Sequence, residues 1–199
     1  MRLYKFRRLA NCEDASRITP ILERGEIWCS KYWELNDPME GVYRLEVGRH
    51  GASIIDGIFG EKAGLLIGSL SSQCALYNPL MWGYYANGFK GLAIELEVCR
   101  SKVQAVNYMR ELVVPAGNDS KEKAREVLLS KLEAWEHEYE WRFLDEGDHG
   151  NRTVGCATAI YVGRPYPKTT TRGGGDPKFS HLNEFQKQRE DLIEKVRSE

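Results

Sequence analysis

Nothing in this 199-residue chain pairs its cysteines. Cys12, Cys29, Cys74, Cys99 and Cys156 are odd in number, widely spaced and without a C-x-x-C pair, which argues against a disulfide framework and a structural zinc site. No sign of charge dominates: 28 Lys and Arg stand against 29 Asp and Glu, a net charge of -1. That excludes the global basic field of a nucleic-acid binder and leaves only a local basic patch open. The longest apolar run, around residues 63–70, is far too short to span a bilayer, and MRLYKFRRLA has no apolar signal core. A soluble cytoplasmic protein in a reducing compartment is expected.

Chemical motifs are scarce as well. His50, His137, His149 and His181 are scattered without H-x-x-x-H or H-E-x-x-H, so no metal ligand set is assigned. There is no G-x-S-x-G elbow, and the glycines at 173–175 match neither the P-loop nor the dinucleotide fingerprint. No internal repeat and no long linker divide the chain, and its 42% hydrophobic content suits one domain over 1–199.

What is present centres on LMWGYYANGFKGLAIELE, residues 80–97. Asn78-Pro79 predicts a helix start, Gly88 and Gly91 a tight reversal, and residues 90–97 a core strand. Around this lie a first strand at 3–6, a brief helix from Thr19-Pro20 to Gly25, a strand at 26–30 and a polar turn at Asn36-Asp37-Pro38. Residues 42–61 are broken by glycines and predict at most a turn or two of helix at 52–59. A buried strand is expected at 65–70, weaker ones at 103–108 and 112–114, and an amphipathic helix at 120–132. In AWEHEYEWRFL, residues 134–144, alternation sets Glu136, Glu138 and Glu140 opposite Trp135, His137, Tyr139 and Trp141 if the segment is extended. A strand at 154–162, a mobile loop at 163–179 and an amphipathic helix at 180–197, capped by Ser180, complete the expectation. The fold class is α+β: a bent, mixed and mainly antiparallel sheet or sheet pair with short helices.

Four clusters carry chemical potential: Tyr4-Lys5-Phe6-Arg7, Asn36-Asp37-Pro38-Met39-Glu40, the aromatics at 82–85, and Glu138-x-Glu140-Trp141-Arg142. The aromatics make either a buried hairpin core or a ligand wall. Asp37 and Glu40, with Glu138 or Glu140, have the ligand chemistry for a divalent cation, as in a metal-dependent nuclease. Asp37 or Glu40 is also expected to accept hydrogen bonds from backbone amides or from Arg7 or Arg142.

In order, LYKFR, WCSKYWELNDPME, LMWGYYANGFKGLAIEL, WEHEYEWRFL and AIYVGRP resemble a bacterial group known as the domain-of-unknown-function 2971 (DUF2971) family, over about residues 3–165. Phe89 stands where relatives often have histidine, and Leu70 where phenylalanine is usual. That family is distantly similar to ADP-ribosyltransferase-like folds, with a basic or polar residue on a first strand, a hydroxyl or aromatic on a second and a glutamate on a later one. The resemblance implies NAD as substrate and Glu140 as catalytic carboxylate. It implies Tyr4, Lys5, Arg7, Trp28, Ser30, Trp82, Tyr85 and Arg142 as NAD-binding residues, supported by Asn36, Asp37, Glu40 and Glu138. Cleaving a nicotinamide–ribose bond builds positive charge on the sugar, which a fixed carboxylate stabilises. Such a protein would act on a nucleic-acid or protein acceptor, as a toxin or a phage-defence effector. The alternative is a non-catalytic nucleotide or nucleic-acid binding module. On the first reading the stretches 4–7, 28–30, 82–85 and 140–142 meet in one cleft.

Overall fold

Helix α1 (Cys12–Arg24) follows strand β1 (Arg2–Arg7) and starts well before Pro20. Its cap is Asn11, whose side chain accepts from the Asp14 amide at 2.9 Å, with Glu13 and Asp14 in the first turn where the helix dipole favours acids. Pro20 lies inside the helix, so the expected start at Thr19-Pro20 is corrected. The expected stop holds: Gly25 closes α1 in the left-handed region, φ 61°. These features belong to a computed structural model that describes residues 1–45, 52–114 and 119–163 and the backbone of 180–181.

The further elements are β2 (Glu26–Cys29), β3 (Arg44–Leu45), α2 (Ala52–Gly64), β4 (Leu65–Ser71), α3 (Pro79–Tyr85), β5 (Leu92–Val98), β6 (Val103–Ala105), β7 (Asn107–Met109), β8 (Val113–Val114), α4 (Ser120–Leu128), β9 (Ser130–Leu132), β10 (Glu140–Glu146), β11 (Gly150–Thr153), β12 (Gly155–Val162) and β13 (Ser180–His181). The result is a mixed α+β structure with mainly antiparallel pairing and short helices. Three expectations change. Helix α2 runs 13 residues through Gly57 and Gly60. Helix α4 is capped by Asp119 and ends at Leu128, giving way to β9. Ser180 begins no helix: with His181 it pairs antiparallel to β12. The expected loop beyond Gly163 and the rest of the expected C-terminal helix lie outside the described residues, as do Gly48 and Gly51. Among the described residues no helix is long and apolar enough to cross a membrane.

The chain divides into two compact units, and β2 and β4 are strands along which it passes from one to the other. The first comprises Met1–Ile27, Leu70–Cys99 and Thr153–Glu199. Its sheet runs β13-β12-β5-β1, antiparallel throughout, with Tyr4 opposite Glu95 and Glu95 opposite Ala159. Strand alternation turns Tyr4 and Phe6 to one face, where they pack with Leu76, Met81, Trp82 and Tyr161. Helix α1 packs on β12 and buries Ala15, Ile18, Ile21 and Leu22.

The second unit comprises Trp28–Ser69 and Arg100–Arg152. Strand β10 pairs antiparallel with β6, Trp141 opposite Ala105, while β3–β8 and β7–β9 are short parallel pairs. Helices α2 and α4 pack together, and Ile58, Leu65, Ile67, Ala124, Val127 and Leu128 form the core beneath them.

Candidate functional site

In the first unit, β5 reads Leu-Ala-Ile-Glu-Leu-Glu-Val, and Glu95 is the one acid of this strand that is buried, at 5% exposed. A carboxylate there is costly unless paired. Tyr4 and Tyr161 each donate a hydroxyl to Glu95 Oε2 at 2.9 Å, and Thr158 donates to Oε1 at 2.9 Å. Thr158 reaches it because the β12 register slips between Ala157 and Ala159, and a bulge re-aims a side chain. The Arg2 guanidinium lies 3.8 Å from Oε1. Burial opposes the charge of Glu95, but the three hydroxyl bonds and Arg2 outweigh it and hold the carboxyl below its usual range. Burial, reinforced by Glu95, pushes the Tyr161 phenol up to about 12 and raises Tyr4 too. The result is an ionised carboxylate beneath neutral hydroxyls.

The aromatic stretch beside it divides in two. Trp82 is fully buried, donates Nε1–H to the Leu76 carbonyl at 2.8 Å, meets Phe6 edge-on at 5.2 Å and stacks on Phe89 at 5.8 Å. A ring enclosed on both faces offers none to a ligand, so the expected stacking role of Trp82 is corrected to a core role. Tyr85 is partly buried against the same cluster, and Tyr84 is exposed. Tyr4, Trp82 and Tyr85 therefore come together. Lys5 and Arg7 do not join them, because alternation along β1 turns them to the opposite face.

In the second unit the alternation over 134–144 is extended only in its second half: Glu133–Glu138 form a 3-10 turn, and Tyr139 reverses the chain at φ 47° before β10 starts at Glu140. That reversal lets Glu138 and Glu140 both reach the Lys131 ammonium, at 2.5 and 3.3 Å. Arg142, 1% exposed, bridges the rest. Its Nη1 and Nη2 donate to Glu40 at 2.6 and 2.8 Å, Nε and Nη2 to Glu140 at 2.9 Å, and Nη1 also to the Leu128 carbonyl at 2.6 Å. Burial alone would raise the Glu140 carboxyl, but Arg142 and Lys131 pull it down to about 2. The same acids hold Lys131 and Arg142 above their ordinary values against burial. Glu140 is thus buried and spoken for by two cations.

The turn before this network is built to hold it. Asp37 accepts from the Met39 amide at 2.9 Å, and the Glu40 amide donates to the Asp37 carbonyl at 3.0 Å. Lys62, buried among the rings of Tyr32, Tyr43 and Phe59, donates to the Gly41 carbonyl at 2.5 Å. Asn36 is exposed. Ser30 makes a backbone bridge with Ile67, and Trp28, 48% exposed, lies 5.6 Å from the His149 ring. Trp28, Ser30, Asn36, Asp37, Glu40, Glu138, Glu140 and Arg142 all belong to the second unit, and Tyr4, Lys5, Arg7, Trp82 and Tyr85 to the first.

Sequence reasoning missed Glu95, Thr158 and Tyr161, and it missed Lys131 and Lys62. A charge inside an otherwise apolar strand was the available signal for Glu95; nothing local marks Lys131 or Lys62. Among the described residues no three His, Cys, Asp or Glu are grouped to hold a metal ion. No family model, no curated protein and no solved structure matches the chain.

Proposed function

We propose that this chain is an NAD-using, ADP-ribosyltransferase-like protein of the cytoplasm, related to the DUF2971 group and serving as a toxin or phage-defence effector on a nucleic-acid or protein acceptor. The observation that carries this reading is Glu95, held ionised by three hydroxyl donors beside an aromatic cluster. In such a reaction the bond between ribose C1′ and the nicotinamide nitrogen breaks, and its electron pair leaves with neutral nicotinamide. The sugar is left cationic until the acceptor adds and loses a proton. A fixed, ionised carboxylate is the group that stabilises such a centre. Glu95 suits this better than Glu140, because two of its neighbours, Thr158 and Arg2, are exposed side chains. Every charged partner of Glu140 is buried. Tyr84 and Tyr85 supply rings for a flat base.

Nicotinamide release from NAD, with nucleic acid and protein offered as acceptors, tests the reading. Glu95→Gln, folded by circular dichroism, is expected to lose release entirely. No release from the native chain with any acceptor would refute the proposal.

One observation favours a second reading, a nucleotide or nucleic-acid binding module without the reaction. The carboxylate of the E-x-EWR element is saturated by Arg142 and Lys131 and free for no substrate. Thermal stabilisation by NAD or ADP-ribose without turnover, or by oligonucleotides alone, would select this module.

A further inference from the structure

Helix α2, in the second unit, carries its polarity the wrong way round for a helix that packs only on its own core. Ile54, Ile58 and Lys62 recur every fourth residue on the inward face, and Lys62 is 2% exposed. Ile55 and Phe59, at the same spacing on the neighbouring face, are 47% and 57% exposed. The Lys62 ammonium lies 5.0 Å from the centroid of the Phe59 ring and 4.5 Å from that of Tyr32. Cation–π contact therefore holds the inner side of Phe59 and leaves its outer side to solvent. Trp33, also exposed, meets Tyr32 edge-on at 4.9 Å and continues the apolar surface beyond the helix. Contiguous exposed apolar surface of this kind marks an interaction face.

The rest of the face says what fits it. Gly60 follows Phe59, is exposed, and an added Cβ there would meet nothing within 4 Å. Bulk thus stands beside open space. A two-fold axis between Phe59 and Gly60, with two α2 helices antiparallel, sets Phe59 of each copy over Gly60 of the other, so large meets small twice. The same operation carries Asp56 of one copy to the C-terminal end of the other copy's α2. Asp56 is exposed and makes no hydrogen bond or ion pair among the described residues. At that end Lys31 Nζ donates to the Gly64 carbonyl at 3.1 Å, so a free carboxylate meets an ammonium on both sides of the axis. A net charge of -1 adds little repulsion between copies. We infer that the outer face of α2, with Trp33 at its side, docks antiparallel on the same face of a second copy of this chain. A lipid surface is the poorer occupant, because membrane-binding helices set Lys and Arg around their apolar side chains, and here the charge beside Ile55 is an acid.

The test is sedimentation velocity of the native chain from low to high micromolar concentration, since a contact made by one helix face is smaller than the roughly 800 Å² per partner of a standard interface. A monomer–dimer equilibrium is expected. Phe59→Glu places a charge at the centre of the contact and should weaken association at least about tenfold. Gly60→Leu fills the open space. It should melt no lower than the native chain at low concentration, because leucine favours helix over glycine, yet lose association by the same factor, a combination that a folding defect does not produce. Asp56→Lys, which opposes Lys31, should weaken association more at low salt than at high salt. If Phe59→Glu does not fold, Gly60→Leu decides. A native chain monomeric at every concentration overturns the inference, as does a dimer that Phe59→Glu and Gly60→Leu leave intact. A monomer that instead sediments with phosphatidylcholine vesicles assigns the face to lipid and overturns it too. None of these outcomes depends on any activity at Glu95.

Discussion

A buried arginine between two glutamates is costly to interrupt. Arg142 satisfies Glu40 and Glu140 together, so Arg142→Met leaves two buried carboxylates without their shared cation. Removing one member of such a network costs about 3–5 kcal/mol, and urea unfolding should show a loss of that order; a loss near zero would mean that water already reaches the site. The pH dependence follows from the same contacts. Glu140 has a folded value depressed to about 2, against about 4.3 when unfolded. Its contribution is therefore fully present above the unfolded value and drains away as pH falls towards the folded one. Native stability should fall between about pH 5 and 2, and Glu140→Gln should flatten that slope. Tyr161 has the opposite sign. Its phenol is raised to about 12, so its contribution is complete below about pH 10 and is lost as pH rises. Absorbance titration should find Tyr161 ionising late, and Glu95→Gln should bring it earlier.

Helix ends and strand starts set how closely the elements can approach one another. Gly25 closes α1 at φ 61°, and a Cβ there would lie 1.7 Å from the Gly155 carbonyl oxygen, where β12 begins. Gly25→Ala therefore combines a left-handed conformation with a backbone clash, and a destabilisation of about 2–4 kcal/mol is expected. Gly64, where an added Cβ meets nothing within 4 Å, is the control: Gly64→Ala should leave the melting temperature within a degree or two, about the effect of a neutral surface change. The same elements show what was legible. Gly25 as a stop, Asn78-Pro79 as a start and the strands expected at 65–70 and 90–97, found at 65–71 and 92–98, were readable because turn chemistry and apolar runs are local. Helix α1 was read too short because proline is commonest at a helix start, whereas here Asn11 caps the helix and the Thr19 hydroxyl bonds the Ala15 carbonyl within it. Helix α2 was read as a turn or two because its glycines oppose helix locally. Packing against α4 overrides that propensity. The 134–139 segment mimicked a strand, and the tertiary pull of Lys131 on Glu138 was invisible in the sequence.

Across the whole molecule, two buried carboxylates of the same chemical kind sit in different units. Glu95 is held by Tyr4, Tyr161, Thr158 and Arg2, and Glu140 by Arg142 and Lys131. The two sets have no residue in common. The stretches 4–7, 28–30, 82–85 and 140–142 were expected to meet in one cleft; 4–7 and 82–85 belong to the first unit, and 28–30 and 140–142 to the second. Substitutions without shared partners are additive within about 0.3–0.5 kcal/mol, whereas members of one network couple by more. Glu95→Gln, which keeps part of its hydrogen bonding, should cost about 1–3 kcal/mol, and Glu140→Gln, which strands Arg142 and Lys131, about 3–5 kcal/mol. The double variant should lose the sum of the two measured values in urea unfolding. As an internal reference, Glu40→Gln combined with Glu140→Gln removes both acids of one arginine and should depart from additivity by more than about 0.5 kcal/mol. Coupling of that size between Glu95 and Glu140 instead would show the two carboxylates acting as one network, contrary to their separate contacts.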